Sequence, residues 1–178
     1  MGWVVVVAPD RSSPDDEDDP STAVGMVMIE AVRSYLALLR LPPEAGTDRL
    51  QALAKALDLL AYAYHQVPEA IADDGAEPPE RINYSLMREA ALQAFPDLGM
   101  YAVVAPETDS RSEPMMGDAI DDLADIGLEL AWVEWRWAHN SQQDAAWHFR
   151  FSYRSHWGIH LHNLRRYLHA RQFDSTRS

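Results

Sequence analysis

DAAWHFRFSYRSHWGIHLHNLRRYLHAR, residues 144–171, is the stretch on which the fold turns. It holds five histidines, five arginines and two tryptophans, yet its apolar residues keep a helical beat. Phe149, Tyr153, Trp157, Leu161, Leu164 and Leu168 recur at spacings near 3.6 and form a broad apolar arc. Arg150 and Arg154 fall inside that arc, and His156 and His160 lie at its edge. Cations on a face that must leave water need anions opposite them.

The anions stand on the preceding segment. A helix from about Pro114 or Asp118 to Ala138 places Asp118, Asp121, Asp122, Asp125 and Glu129 within an arc of about 100°. Its other side carries Ala119, Leu123, Ile126, Leu130, Val133 and Trp137. The link HNSQQ is short, and Asp144 is expected to cap the next helix, which runs to about Arg171, so the two form an antiparallel hairpin. With the turn near residue 141, facing positions sum to about 282. Glu129 then lies opposite Tyr153 and near Arg154, Asp125 opposite Trp157, and Asp121 near His160.

Further upstream, Val24 to Leu39 and Leu50 to Tyr64 carry apolar residues at helical spacing. The first helix is stopped by Leu41-Pro42-Pro43, and the second starts at Thr47 or Asp48 and ends before Pro68. IADDGAEPPE is a turn-rich linker, and Asn83 caps a third helix from about Tyr84 to Phe95. Residues 96–114 lack a helical period; MYAVVA is expected as an extended segment against the helices, with ETDSRSE as its tip. The expectation is an all-α, five-helix, mainly antiparallel bundle with the last two helices as its central hairpin. Residues 1–20 read as a flexible acidic tail, 21–171 as one domain and 172–178 as a C-terminal tail.

Composition narrows the chemistry. The 178 residues include no cysteine, so disulfides, thiolate nucleophiles and Cys-type metal sites are excluded, and a cytoplasmic location is expected. The six-residue apolar run WVVVVA is too short to span a bilayer. The formal charge of −13 and the single lysine argue against nucleic acid and anionic membranes as partners. That charge is divided unevenly: residues 136–178 hold seven arginines and six of the seven histidines against Asp144 and Asp174. A basic helix docked on acidic ones accounts for this better than a basic outer surface.

Two readings of the hairpin compete. In the first it is a buried polar network: Arg150 and Arg154 neutralise Asp125 and Glu129, His160 donates to Asp121 or Asp122, and Trp157 packs beside them. Arg154→Ala would then strand a buried carboxylate. In the second, His156 and His160, one turn apart, hold a divalent ion such as Zn, Mn or Fe, completed by Asp121, Asp122 or Asp125, with Asp122 favoured. H-x-x-x-H is a weak signal without the Glu of H-E-x-x-H. His148, His162 and His169 are expected on a solvated face. The cluster Trp132, Trp135, Trp137, Trp147 and Trp157 is expected to be core, and Gly158 to admit a neighbouring helix.

DDLADI at 121–126, the W-x-x-R-x-x-x-x-x-H-W-G-x-H run from Trp147 to His160 followed by LRRYLH, and MYAVVAP at 100–106 resemble a bacterial family defined as domain of unknown function 5063. The resemblance spans about residues 24–170, with residues 1–20 as an addition. It implies an all-helical cytoplasmic protein with no assigned activity. The functional expectation is a non-enzymatic binding or interaction protein for an unidentified protein or small molecule. The alternative is a metal-dependent hydrolase using the Asp and His residues of the hairpin, and a homodimer through the first helix is a further expectation.

Overall fold

The computed structural model describes residues 20–40, 48–73, 75–79, 82–103 and 115–174. The expected N-terminal tail up to residue 19, the Leu41-Pro42-Pro43 stop and the ETDSRSE tip lie outside them. Helix α1 is Pro20–Arg40, α2 Arg49–Gln66 and α3 Tyr84–Ala94. Strands β1 (Met100–Val103) and β2 (Met115–Asp118) pair antiparallel, with Met100 opposite Asp118 and Tyr101 opposite Gly117. Helix α4 is Ala119–His139 and α5 is Gln142–Ser152; a π turn, Tyr153–Trp157, then leads without a break into α6, Gly158–Asp174. Counting α5, the π turn and α6 as one rod, five helices make up the bundle among the described residues.

The starts of α2, α3, α4 and α5 are set by side chains that satisfy free amides. Asp48 accepts from the Gln51 amide at 3.0 Å, Asn83 from Leu86 at 3.2 Å, and Asp118 from Ile120 at 2.9 Å. The cap of α5 is Ser141, whose Oγ accepts from the Asp144 amide at 3.0 Å, so the expected Asp144 cap is corrected by three residues. Asp144 is instead fully buried.

The core is one layer of aliphatic side chains between the helices. Met28, Ile29, Val32, Tyr35 and Leu36 of α1 meet Leu53, Leu57 and Leu60 of α2 and Leu123, Ile126 and Leu130 of α4. Tyr35 donates its hydroxyl to the Leu123 carbonyl at 2.9 Å, so even the polar atom of that buried ring is satisfied. The apolar arc of α1 is therefore largely used within the chain, while Met26 and Val27 on the same helix are exposed. Phe149, Trp157, Leu161, Leu164 and Leu168 close the core from the last rod. Gly127 is what lets α4 run so close to its neighbours: a Cβ there would lie 2.8 Å from Met87 Cγ and 2.9 Å from Leu39 Cδ1.

Candidate functional site

Where α4 faces the last rod, carboxylates and imidazoles interlock. Glu129, only 8% exposed, accepts from two histidines: His148 Nε2 lies 2.9 Å from Oε2 and His156 Nδ1 lies 2.9 Å from Oε1. Two turns back along α4, Asp122 accepts from His160 Nδ1 at 2.7 Å and, through its other oxygen, from the Tyr101 hydroxyl. Asp125 sits between these two pairs. Its oxygens are 3.6 Å from His160 Nε2 and 3.9 Å from His156 Nε2, too long for hydrogen bonds.

Proton counting gives this geometry its chemical meaning. A carboxylate only accepts, so the Nδ1 atoms of His156 and His160 carry hydrogens toward Glu129 and Asp122. In a neutral imidazole the other nitrogen is then a lone pair. Both Nε2 lone pairs point toward the Asp125 oxygens, and one ligand atom from each of the three residues lies within 4.8 Å of the other two. With both imidazoles neutral, three electron-rich atoms would converge there with no donor among them. Burial is the largest effect on the Asp125 carboxyl and leaves it above its usual range, against a downward pull from His160 and His156 that imidazoles exert when protonated. For Glu129 burial also acts upward, but the hydrogen bonds from His148 and His156 prevail and hold it below the usual range. The bond to Asp122 raises His160 above its ordinary value against the effect of burial.

The π turn arranges the histidines. At a steady 100° per residue, His148 and His156 would lie about 80° apart around the rod. A π turn spends an extra residue on the same rotation and takes back most of that angle. His148 is thus 8% exposed against Glu129 rather than on the expected solvated face, whereas His162 and His169 are exposed. Gly158 serves the same turn. Its amide donates to the Tyr153 carbonyl, and a Cβ would sit 2.4 Å from that oxygen, so its role is local rather than to admit another helix.

The other expected site residues divide. Asp122, Asp125, Glu129, His156 and His160 come together. Asp121 does not join them: it is half-exposed, accepts from the Tyr84 hydroxyl, and has Arg88 Nε at 3.6 Å. Arg150 and Arg154 do not neutralise Asp125 or Glu129. Arg150 Nη1 donates to the carbonyls of Tyr64, at 3.1 Å, and Val67, while Arg154 is 62% exposed with Glu69 at 3.6 Å. They sit on the side of the rod facing the end of α2, so histidines supply the partners of the α4 acids. Trp157 is fully buried and donates Nε1 to Ser152 Oγ at 2.9 Å, a core role. Trp132, Trp135, Trp137 and Trp147 are only half-buried. Two residues of the cluster lie outside the expected site, His148, expected in solvent, and Tyr101, whose one signal in the sequence is an aromatic residue in an extended segment next to an acidic helix.

The family model for the domain of unknown function DUF5063 matches residues 22–174, nearly the whole chain and all of the hairpin. This chain belongs to the DUF5063 family. The DUF5063 chain is similar in structure to protein BF1032 from Bacteroides fragilis, with a TM-score of 0.56 and 15% identity over 85% of this chain and 91% of that one. That likeness concerns the fold alone. No curated protein matches the DUF5063 chain. No helix among the described residues is long and apolar enough to cross a membrane.

Proposed function

We propose that this protein binds one first-row divalent ion (zinc, manganese or iron) through Asp125, His156 and His160, and that any reaction it performs takes place at that ion. The observation that carries this is the fixed direction of the two imidazoles: each is held through Nδ1 by a buried carboxylate, with Nε2 turned toward Asp125. Metal-binding histidines characteristically donate their other nitrogen to a carboxylate, which fixes the ring and raises its basicity. Ligand atoms on a tetrahedral zinc are about 3.3 Å apart, so the contacts of 3.6 and 3.9 Å, which reach different oxygens of Asp125, and a trio that lies within 4.8 Å would have to close inward around an ion. Asp122, favoured as third ligand on spacing, is engaged as the partner of His160, and Asp125 takes its place.

Three protein ligands leave coordination positions for water, and the His156 side chain is 40% exposed, which gives solvent a route. A metal-dependent hydrolase is the enzymatic form of this reading. Asp121, Asp122 and Glu129 around the site disfavour polyanionic substrates.

The 3.6 and 3.9 Å contacts also support a second reading, a metal-free lock in a non-enzymatic binding protein, in which doubly protonated imidazoles face Asp125. Elemental analysis of untagged protein purified above pH 7 separates them. The metal reading expects close to one ion per chain, lost in His160→Ala and in Asp125→Ala. Sub-stoichiometric metal in the wild type, even after incubation with zinc, manganese or iron(II), leaves the lock.

A further inference from the structure

We propose that the groove beside the π turn, lined by Trp147, Arg150, Phe151, Arg154, Ser155 and Glu69, binds a small molecule that carries a flat ring and one anionic group. The groove encloses about 430 Å³, within the range of small-molecule sites. One wall is a ready stacking platform: the Trp147 and Phe151 rings, one turn apart on α5, are parallel to within 8° at 5.2 Å, and Phe151 is 55% exposed. A third flat ring extends such a stack at little conformational cost.

The other wall supplies positive charge in a chain of net −13. Arg150 is already immobilised: its Nη1 is engaged by the Tyr64 and Val67 carbonyls, and its guanidinium lies 5.0 Å from the Tyr64 ring centroid. That leaves Nη2 toward Glu69, 3.9 Å away. Arg154, the next turn up, has the same carboxylate at 3.6 Å. Among the described residues these two guanidiniums share one charged partner, and that partner is 80% exposed. An ion pair so exposed contributes little, so an incoming carboxylate or phosphate displaces Glu69 cheaply and gains a preformed fork. Ring and anion requirements thus stand side by side on one rod. This groove does not depend on a metal at Asp125.

Calorimetric titration of the full chain with two charged probes, indole-3-acetate and adenosine 5′-monophosphate, tests the proposal against their neutral counterparts, indole-3-acetamide and adenosine. At least one charged probe is expected to saturate at one per chain and to bind about tenfold tighter than its neutral counterpart. Arg154→Ala should remove that preference, and Phe151→Ala should weaken both members of the pair. Both side chains are exposed, so both variants should melt with the wild type, which checks that they remain folded. Absence of saturation by either charged probe, equal binding of charged and neutral forms, or unchanged binding in the two variants overturns it.

Discussion

At the scale of single residues, Gly158 has the most sharply defined task. In an ordinary helix interior, replacing glycine by alanine stabilises by up to about 1 kcal/mol, because alanine loses less backbone entropy. Here the sign should reverse. The added Cβ would meet the Tyr153 carbonyl oxygen at 2.4 Å, and that oxygen is backbone engaged in the π-turn hydrogen bond, so it cannot swing aside as a side chain would. Gly158→Ala is expected to cost about 2 kcal/mol, in the range of over-packed positions, as read from urea unfolding. Relief of the clash by rewinding the turn would rotate His156 and His160 relative to His148, so that Glu129 no longer accepts from both His148 and His156, and metal affinity should fall in the same variant. A Gly158→Ala protein more stable than the wild type would mean that the π turn is not what constrains this position.

At the scale of elements, the corner between α4 and α5 is held from outside the hairpin. Buried Asp144 accepts from Arg136 Nη1 at 2.8 Å and Asn140 Nδ2 at 2.7 Å. Asn140 also exchanges hydrogen bonds with both backbone groups of Ala76, and Ser141 Oγ donates to Asp73 at 3.1 Å. The turn-rich segment after α2 is thereby pinned to the corner. Burial acts to raise the Asp144 carboxyl, but hydrogen bonds from Asn140 and Arg136 and the Arg136 charge overcome it and depress the group. A depressed carboxyl contributes stability above its unfolded pKa, about 3.9, and loses it as pH falls through the lower folded value. Asp144→Ala should therefore cost about 3 kcal/mol at pH 7, because it leaves the buried Arg136 guanidinium with the exposed Glu77 as its remaining charged partner. The gap to the wild type should close below pH 4; a gap unchanged between pH 7 and pH 3 would remove Asp144 from the role. This level also shows what sequence conveys. The apolar periods of all five helices are plain, and so are the heights across the hairpin: Asp122 meets His160 and Asp125 faces His156, pairs that sum to 282 and 281. Rotation about the last rod is not legible, because one residue absorbed in a π turn leaves no mark on an apolar arc wide enough to tolerate it. The arginines inside that arc consequently read as partners of the α4 acids, and His148 as solvent-facing.

For the whole molecule, the proposed ligands tie α4, through Asp125, to the last rod, through His156 and His160, and both rods contribute side chains to one core. An ion bound only when both are in place must stabilise the complete fold, since the unfolded chain does not hold the three groups together. At free metal one hundred times its dissociation constant the gain is about 2.7 kcal/mol. In a chain of this length that corresponds to a rise in melting temperature of about 5–10 °C. Addition of zinc or manganese to chelator-stripped protein should produce such a rise, growing with the logarithm of metal concentration. Asp125→Ala should abolish it. Asp121→Ala should keep it, because Asp121 bonds to Tyr84 and stands outside the converging trio. That comparison separates a built site from simple attraction of cations to an acidic helix face, since general attraction would fall in both variants alike. Equal shifts in the wild type and Asp125→Ala would place the ion elsewhere and reduce the His156–Glu129 and His160–Asp122 pairs to braces that fix how α4 and the last rod meet.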